Sequence, residues 1–224
     1  MSSHAADGHE HHHYTTTGLE HRKIAIWAFI GSECMLFASL ISTYLIYKGR
    51  SIVGPYPHTE WVNEAGQVFQ PILDIPITSA STFVLLMSSL TMVLALQAVQ
   101  IKDQPTPTGA GWWTRAQRSS QTWLLATALL GMTFLGFQAY EFTSFVHEGL
   151  TIQTNLFGST FYTLTGFHGA HVTAGVLWLF TLLYIDRARG LGPKDELIVD
   201  IAALYWHFVD VVWIAIFTLI YLIQ

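Results

Sequence analysis

FGSTFYTLTGFHGAHVTAGVLWLFTLLYI, residues Phe157 to Ile185, contains no Asp, Glu, Lys or Arg. At about 1.5 Å per residue it exceeds the roughly 20 residues that a helix needs to cross bilayer hydrocarbon. Lipid offers no partner to free N–H and C=O groups, so the run must satisfy its own backbone as an α-helix. The period-two alternation of a barrel strand is not seen. Four further runs have the same character: Ile24 to Tyr47, Ile75 to Ile101, Trp123 to Val146 and Leu197 to Leu222. With 51% hydrophobic residues and only 11% charged, the chain has too few charges to cover a water-facing surface. The expected fold is all-α, an integral membrane bundle of five transmembrane helices, with no room left for a soluble catalytic domain.

The ten basic residues set an orientation. Arg22, Lys23, Lys102, Arg115, Arg118, Arg187, Arg189 and Lys194 fall on the amino-terminal side of the spans, and only Lys48 and Arg50 on the other. The positive-inside rule therefore places the amino terminus in the cytoplasm and the carboxyl terminus outside. Residues 1–21 read as a flexible His-rich tail, with His9 and His11 to His13 in polar, acidic surroundings that cannot form a core. This cluster is either merely solvated or gathers protons and metal at the cytoplasmic face. The membrane domain occupies residues 22–224, and its first span takes the part of an insertion signal, since no cleavable leader pattern precedes it. The connection from Lys102 to Gln121 reads as a cytoplasmic loop whose Trp112 and Trp113 suit the headgroup layer. The long outer connection, with Tyr56, Trp61 and Phe69 for interface packing, reads as having no fold of its own. Cys34 is the single cysteine and lies within the first span, so one copy can build neither a disulfide nor a thiolate metal cluster.

Ionisable groups at membrane depth are costly unless neutral or paired, and so they carry the functional signal. Glu33 lies about 14 Å into the first span, near the middle of the hydrocarbon. It has no local partner, so it is either protonated or held by a donor such as one of the deep histidines. His168 and His171 share a face of the fourth span by their spacing of three, as do His207 and Asp210 in the fifth. One reading makes these groups interhelical hydrogen bonds that fix register. For Glu33 a working proton is the better account, because Gln or Ser would serve as glue without one. Glu141 sits toward the outer end of its helix as a structural group, with His147 and Glu148 nearby to form a polar rim. The Gly and Ala series Gly158, Gly166, Gly169, Ala170, Ala174 and Gly175 allows close approach of neighbouring backbones.

Histidines and carboxylates on adjacent helices also have metal-ligand chemistry. A di-iron bundle would want a Glu three residues before its histidines, which neither pair has. Haem ligation would need facing histidines with space for a porphyrin, and the sequence leaves that open.

Phe157 to Gly175, and YWHFVDVVW from Tyr205 to Trp213, closely resemble the last two helices of subunit III of haem-copper respiratory oxidases. WAFIGSECMLFASLISTYL, in the first span, resembles the family's helix in which a serine precedes a membrane carboxyl. Gln138, Glu141 and Phe142 match its Gln-x-x-Glu-aromatic segment. The resemblance implies that Glu33 is the family's buried, carbodiimide-reactive carboxyl, and that His168, His171, His207 and Asp210 hold the motif positions of the last two helices. It implies an accessory role without a redox centre or catalytic residue in this chain, the haem and copper residing in partner subunits. Such a subunit packs on subunit I, beside subunit II, with a fourth subunit or a respiratory supercomplex extending the set. It holds structural phospholipid, sustains proton uptake and slows inactivation during turnover. Longer family members have two more amino-terminal helices that wall a lipid cleft, and five helices are expected here.

The expected function is thus an accessory core subunit of a proton-pumping terminal oxidase in the bacterial cytoplasmic membrane, passing electrons from cytochrome c to oxygen. A quinol-oxidising complex is the alternative, with an independent metal or haem enzyme or a proton-coupled transporter as further classes. Arg22, Lys23, Arg187 and Arg189 are candidate ligands for lipid headgroups.

Overall fold

The computed structural model describes residues 20–62, 66, 68–105, 109 and 111–223. The His-rich segment up to residue 19 lies outside them. The first helix, α1, begins at His21, one residue before the expected boundary of the membrane domain, and runs to Tyr47. α2 spans Ile75–Gln100, α3 Trp112–Gln117, α4 Ser120–His147, α5 Leu156–Arg189 and α6 Glu196–Phe217. Five of these elements are long and apolar enough to cross a membrane, the fifth comprising α6 with the turns at either end of it. The chain is a multi-pass membrane protein.

Local chemistry sets where the helices start and stop. Asp74 accepts from the Ile77 amide at 3.2 Å and Pro76 sits in the first turn of α2. Ser119 accepts from Thr122 N at the start of α4, and Asn155 from Gly158 N, 2.7 Å, at the start of α5. Gly190, at φ +75°, ends α5 in a conformation that glycine adopts without strain. The Ser and Thr hydroxyls of α1 donate to carbonyls three or four residues back, as Ser32 does to Phe29 and Thr43 to Ser39, which lets them face lipid.

α2, α4, α5 and α6 form a four-helix bundle in which α2 packs on α4 and α6, and α5 on α4 and α6; α1 lies outside, along α5 and α6. The burial pattern agrees. α1 buries only Ile26, Phe37 and Tyr44, whereas α6 buries ten residues, among them Trp206 and Trp213. Trp206 wedges between two glycines: a Cβ at Gly131 would stand 2.6 Å from its ring, and one at Gly175 2.8 Å. Its indole N–H donates to Ser88 Oγ at 2.9 Å, and that of Trp213 to Thr82 Oγ1 at 2.9 Å, so α2 satisfies both buried indoles.

Several expectations need correction. The connection between α1 and α2 does carry a small fold, a hairpin of β1 (Trp61–Val62) and β2 (Val68–Phe69). Trp61 lays its ring on Gly54 rather than serving the interface alone. The side chain of Phe69 lies outside what is described. The connection from Lys102 to Gln121 contains α3 and already enters α4 at Ser120, while Trp112 and Trp113 are exposed. Of the small residues of α5, Gly158, Gly169 and Gly175 have close neighbours, but Gly166 faces open space and Ala170 and Ala174 are exposed. A spacing of four keeps these three on one side of the helix, so they form a small-residue stripe on the outside of the bundle.

Candidate functional site

α1 is held by few large contacts, yet it brings Glu33 to α5. Glu33 Oε2 lies 3.0 Å from His171 Nε2, with each side chain 16% exposed. The other ring nitrogen, Nδ1, lies 2.7 Å from the Phe167 carbonyl. A carbonyl can only accept, so Nδ1 carries a hydrogen. The contact on Nε2 then needs one more hydrogen, supplied either by a neutral Glu33 carboxyl or by an imidazolium. Both arrangements are net neutral, and both keep one dissociable proton between two helices at membrane depth. Tyr205 of α6 donates to the His171 carbonyl at 3.1 Å, tying the third helix to the same place.

The spacing of three does not give His168 the same neighbour as His171. His168 is fully buried between α4 and α6, stacked on Trp213 at 4.8 Å between centroids and edge-on to Phe134 at 5.7 Å. Neither of its ring nitrogens has a hydrogen-bond partner among the described residues. Phe37 of α1 touches both histidine rings, at 6.5 Å from His168 and 5.0 Å from His171, and separates the core ring from the paired one.

His207 and Asp210 do act together, through a residue of α2 that the sequence did not single out. Ser89 donates to Asp210 Oδ2 at 2.8 Å and takes a hydrogen from His207 Nδ1 at 3.1 Å. From a doubly protonated His207 the Nδ1 proton could pass to Ser89 as Ser89 passes its own to Asp210, leaving a neutral imidazole with its hydrogen on Nε2 and a neutral carboxyl. Asp210 is buried and its Oδ1 has no partner among the described residues.

Glu141 is turned inward. Thr78 donates to its Oε1 at 2.7 Å and Tyr221 to the same oxygen at 3.0 Å, joining α2, α4 and the turn after α6. Its expected rim is only partly made: Glu141 and Glu148 line one cleft of about 360 Å³, but His147 is exposed and is not in that lining. Gln138, beside it, donates to the Thr165 carbonyl at 2.7 Å and packs on Gly169.

At the opposite end, the basic residues largely serve protein. Lys23 pairs with Asp200 at 2.8 Å and Arg189 with Asp195 at 2.8 Å, while Arg118 donates to the carbonyl of Ile101 at 2.9 Å. Lys102 reaches Asp186 at 3.5 Å. Asp186 is buried, accepting from Ser120 and from Leu191 N, and locks α5 to α4 and to the turn before α6. In the sequence the one signal for Asp186 is an acid between apolar Ile185 and basic Arg187. Arg22 and Arg187 form no ion pair among the described residues, and Arg22 tops an apolar groove lined by Phe29, Trp178, Ile198 and Ile201. No group of three or more His, Cys, Asp or Glu is placed to hold a metal among the described residues.

A deep carboxyl paired to the fourth span and a His–Ser–Asp chain on the fifth fall at the positions of the resemblance, and the whole sequence agrees with it. The family profile of cytochrome c oxidase subunit III matches residues 2–224. The chain belongs to this family. It is 40% identical to cytochrome c oxidase subunit 3 of Bacillus sp. (strain PS3) over 199 residues, covering 89% of this chain and 84% of that one. Quinol oxidase subunit 3 of Bacillus subtilis is 34% identical over 199 residues, 89% of this chain and 85% of the relative. Cytochrome bo(3) ubiquinol oxidase subunit 3 of Pseudomonas aeruginosa is 32% identical over 226 residues, 99% and 96% of the two. A subunit III is part of an oxidoreductase complex.

Proposed function

We propose that the chain is the accessory third subunit of a proton-pumping haem-copper terminal oxidase, packed on subunit I beside subunit II in the bacterial cytoplasmic membrane. Its amino terminus is cytoplasmic by the distribution of basic residues. The chain stabilises the catalytic subunit and holds protons near it, with no oxygen chemistry of its own. One observation carries this reading: Glu33 Oε2 and His171 Nε2 stand 3.0 Å apart, a carboxyl–imidazole pair on two helices at membrane depth. The Ser89-linked His207 and Asp210 supply a second group of the same kind. The outward stripe of Gly166, Ala170 and Ala174 lies on α5 beside His171, where a partner helix could approach closely and cover the polar pair. Lipid binding is carried best by Arg22 over its apolar groove and by Arg187, since Lys23 and Arg189 have carboxylate partners. Cytochrome c is taken as the electron donor, after the relative of 40% identity; the quinol oxidase relatives at 34% and 32% favour quinol as the second reading.

Gentle detergent extraction with a tag on this chain tests the proposal. Haem-copper subunits should come down with it, and Gly166→Leu, which adds bulk where there is open space, should release them while the chain itself stays folded. A chain that purifies alone with its own chromophore, or that moves protons alone in vesicles, would overturn it.

A further inference from the structure

The two clefts at the outer end of the bundle carry opposite charge. One, between α2 and α4, is lined by Asp74, Glu141 and Glu148 and by no basic residue. The other, of about 330 Å³, lies between the last turn of α1, the connection that follows and the first turn of α5. Among the described residues its lining includes Lys48 and no carboxylate.

This second cleft is built for a headgroup with an apolar body beneath it. Tyr44, Tyr47, Tyr56 and Phe157 form its walls. Tyr44 is 1% exposed and stacks edge-on to Phe157 at 6.4 Å, so the inner wall is fixed. The Lys48 ammonium uses one donor on the Ile223 carbonyl and has three. Ser51 accepts from Phe157 N at 3.1 Å, which leaves its own O–H to donate into the cleft. The amino terminus of α5 adds the positive end of a helix dipole at the same point. His58 donates to the Ile220 carbonyl at 3.0 Å and pins the connection to the carboxyl-terminal turn. Burial, and then the charge of Lys48, push His58 below its ordinary value.

We infer that this cleft binds the phosphodiester of an anionic phospholipid, the phosphate on Lys48 and Ser51 and the glycerol and upper acyl segments against the tyrosine rings and Phe157. α1 ends and α5 begins here, so the site lies at the edge of the hydrocarbon, where a phosphate sits above its chains. A free phosphate would use the same donors and leave the aromatic walls unfilled. The site is at the opposite end of the bundle from Arg22 and Arg187, and it stands whichever electron donor the complex uses.

The test purifies the intact complex with wild-type chain or with Lys48→Glu, washes it in detergent with limiting phosphatidylglycerol, and counts retained lipid by native mass spectrometry. The wild type should keep one more anionic lipid than the variant, with retention at least about fivefold weaker after loss of the lysine, and Lys48→Arg should restore it. Ser51→Ala offers a milder loss if Lys48→Glu fails to assemble. Subunit composition in the same spectra reads the oxidase assignment separately. Equal anionic lipid in all variants would overturn the proposal, as would equal retention of phosphatidylethanolamine. Lys48-dependent retention of radiolabelled inorganic phosphate, without Lys48-dependent lipid, would overturn it in favour of the free ion.

Discussion

Replacing Glu33 separates a hydrogen bond from a proton. In Glu33→Gln, His171 keeps its hydrogen on Nδ1, facing the Phe167 carbonyl, and Nε2 accepts from the new amide. The 3.0 Å contact survives, but no dissociable proton remains in it. In Glu33→Ala the contact is lost altogether. An interhelical side-chain hydrogen bond in a membrane contributes about 0.6 kcal/mol on average and up to about 1.7. At 16% exposure on both sides, the upper half of that range applies, so Glu33→Ala should loosen α1 by about 1 kcal/mol, roughly fivefold in an equilibrium. That is a large share for α1, which buries only Ile26, Phe37 and Tyr44. The assay follows two quantities in the purified complex: protection of α1 amides from hydrogen exchange, and the number of turnovers before inactivation. Glu33→Gln should match the wild type in protection and inactivate sooner, whereas Glu33→Ala should lose both. Wild-type turnover in Glu33→Gln would refute the role of the proton. Equal loss of protection in Gln and Ala variants would refute the geometry from which the proton was argued.

Two further substitutions test the packing. Glu141→Ala leaves the buried Tyr221 hydroxyl without its acceptor, while Thr78 turns to the Asp74 carbonyl 2.9 Å away, and should cost about 1–3 kcal/mol, seen as a lower midpoint for thermal release of the chain from the complex. Gly175→Ala puts a methyl 2.8 Å from the Trp206 ring and should cost about 1–3 kcal/mol in thermal unfolding of the purified chain in detergent, while Gly166→Ala meets open space within the chain and should leave that unfolding midpoint unchanged.

The five spans were legible because the constraint on them is local. Without water to solvate the backbone, a long run free of charges has one regular solution, and its ends show as Asp74, Ser119, Asn155 and Gly190. Glu33, His168, His171, His207 and Asp210 were legible for the same reason, since each is conspicuous where polar groups are costly. Their partners were not. Residues three apart differ by about 60° around a helix, enough in a packed bundle to send His168 into the core against Trp213 and His171 out to Glu33. Ser89 looks like any other small hydroxyl until α6 brings His207 and Asp210 to it. Asp186 reads as a helix flank until Ser120 and Leu191 close over it. The sequence by itself determined that this chain lives in a membrane and which side chains are out of place there. Which of those side chains pair was decided by the tertiary structure alone, because a hydrogen bond depends on where two separate helices meet, and hydropathy carries no record of that.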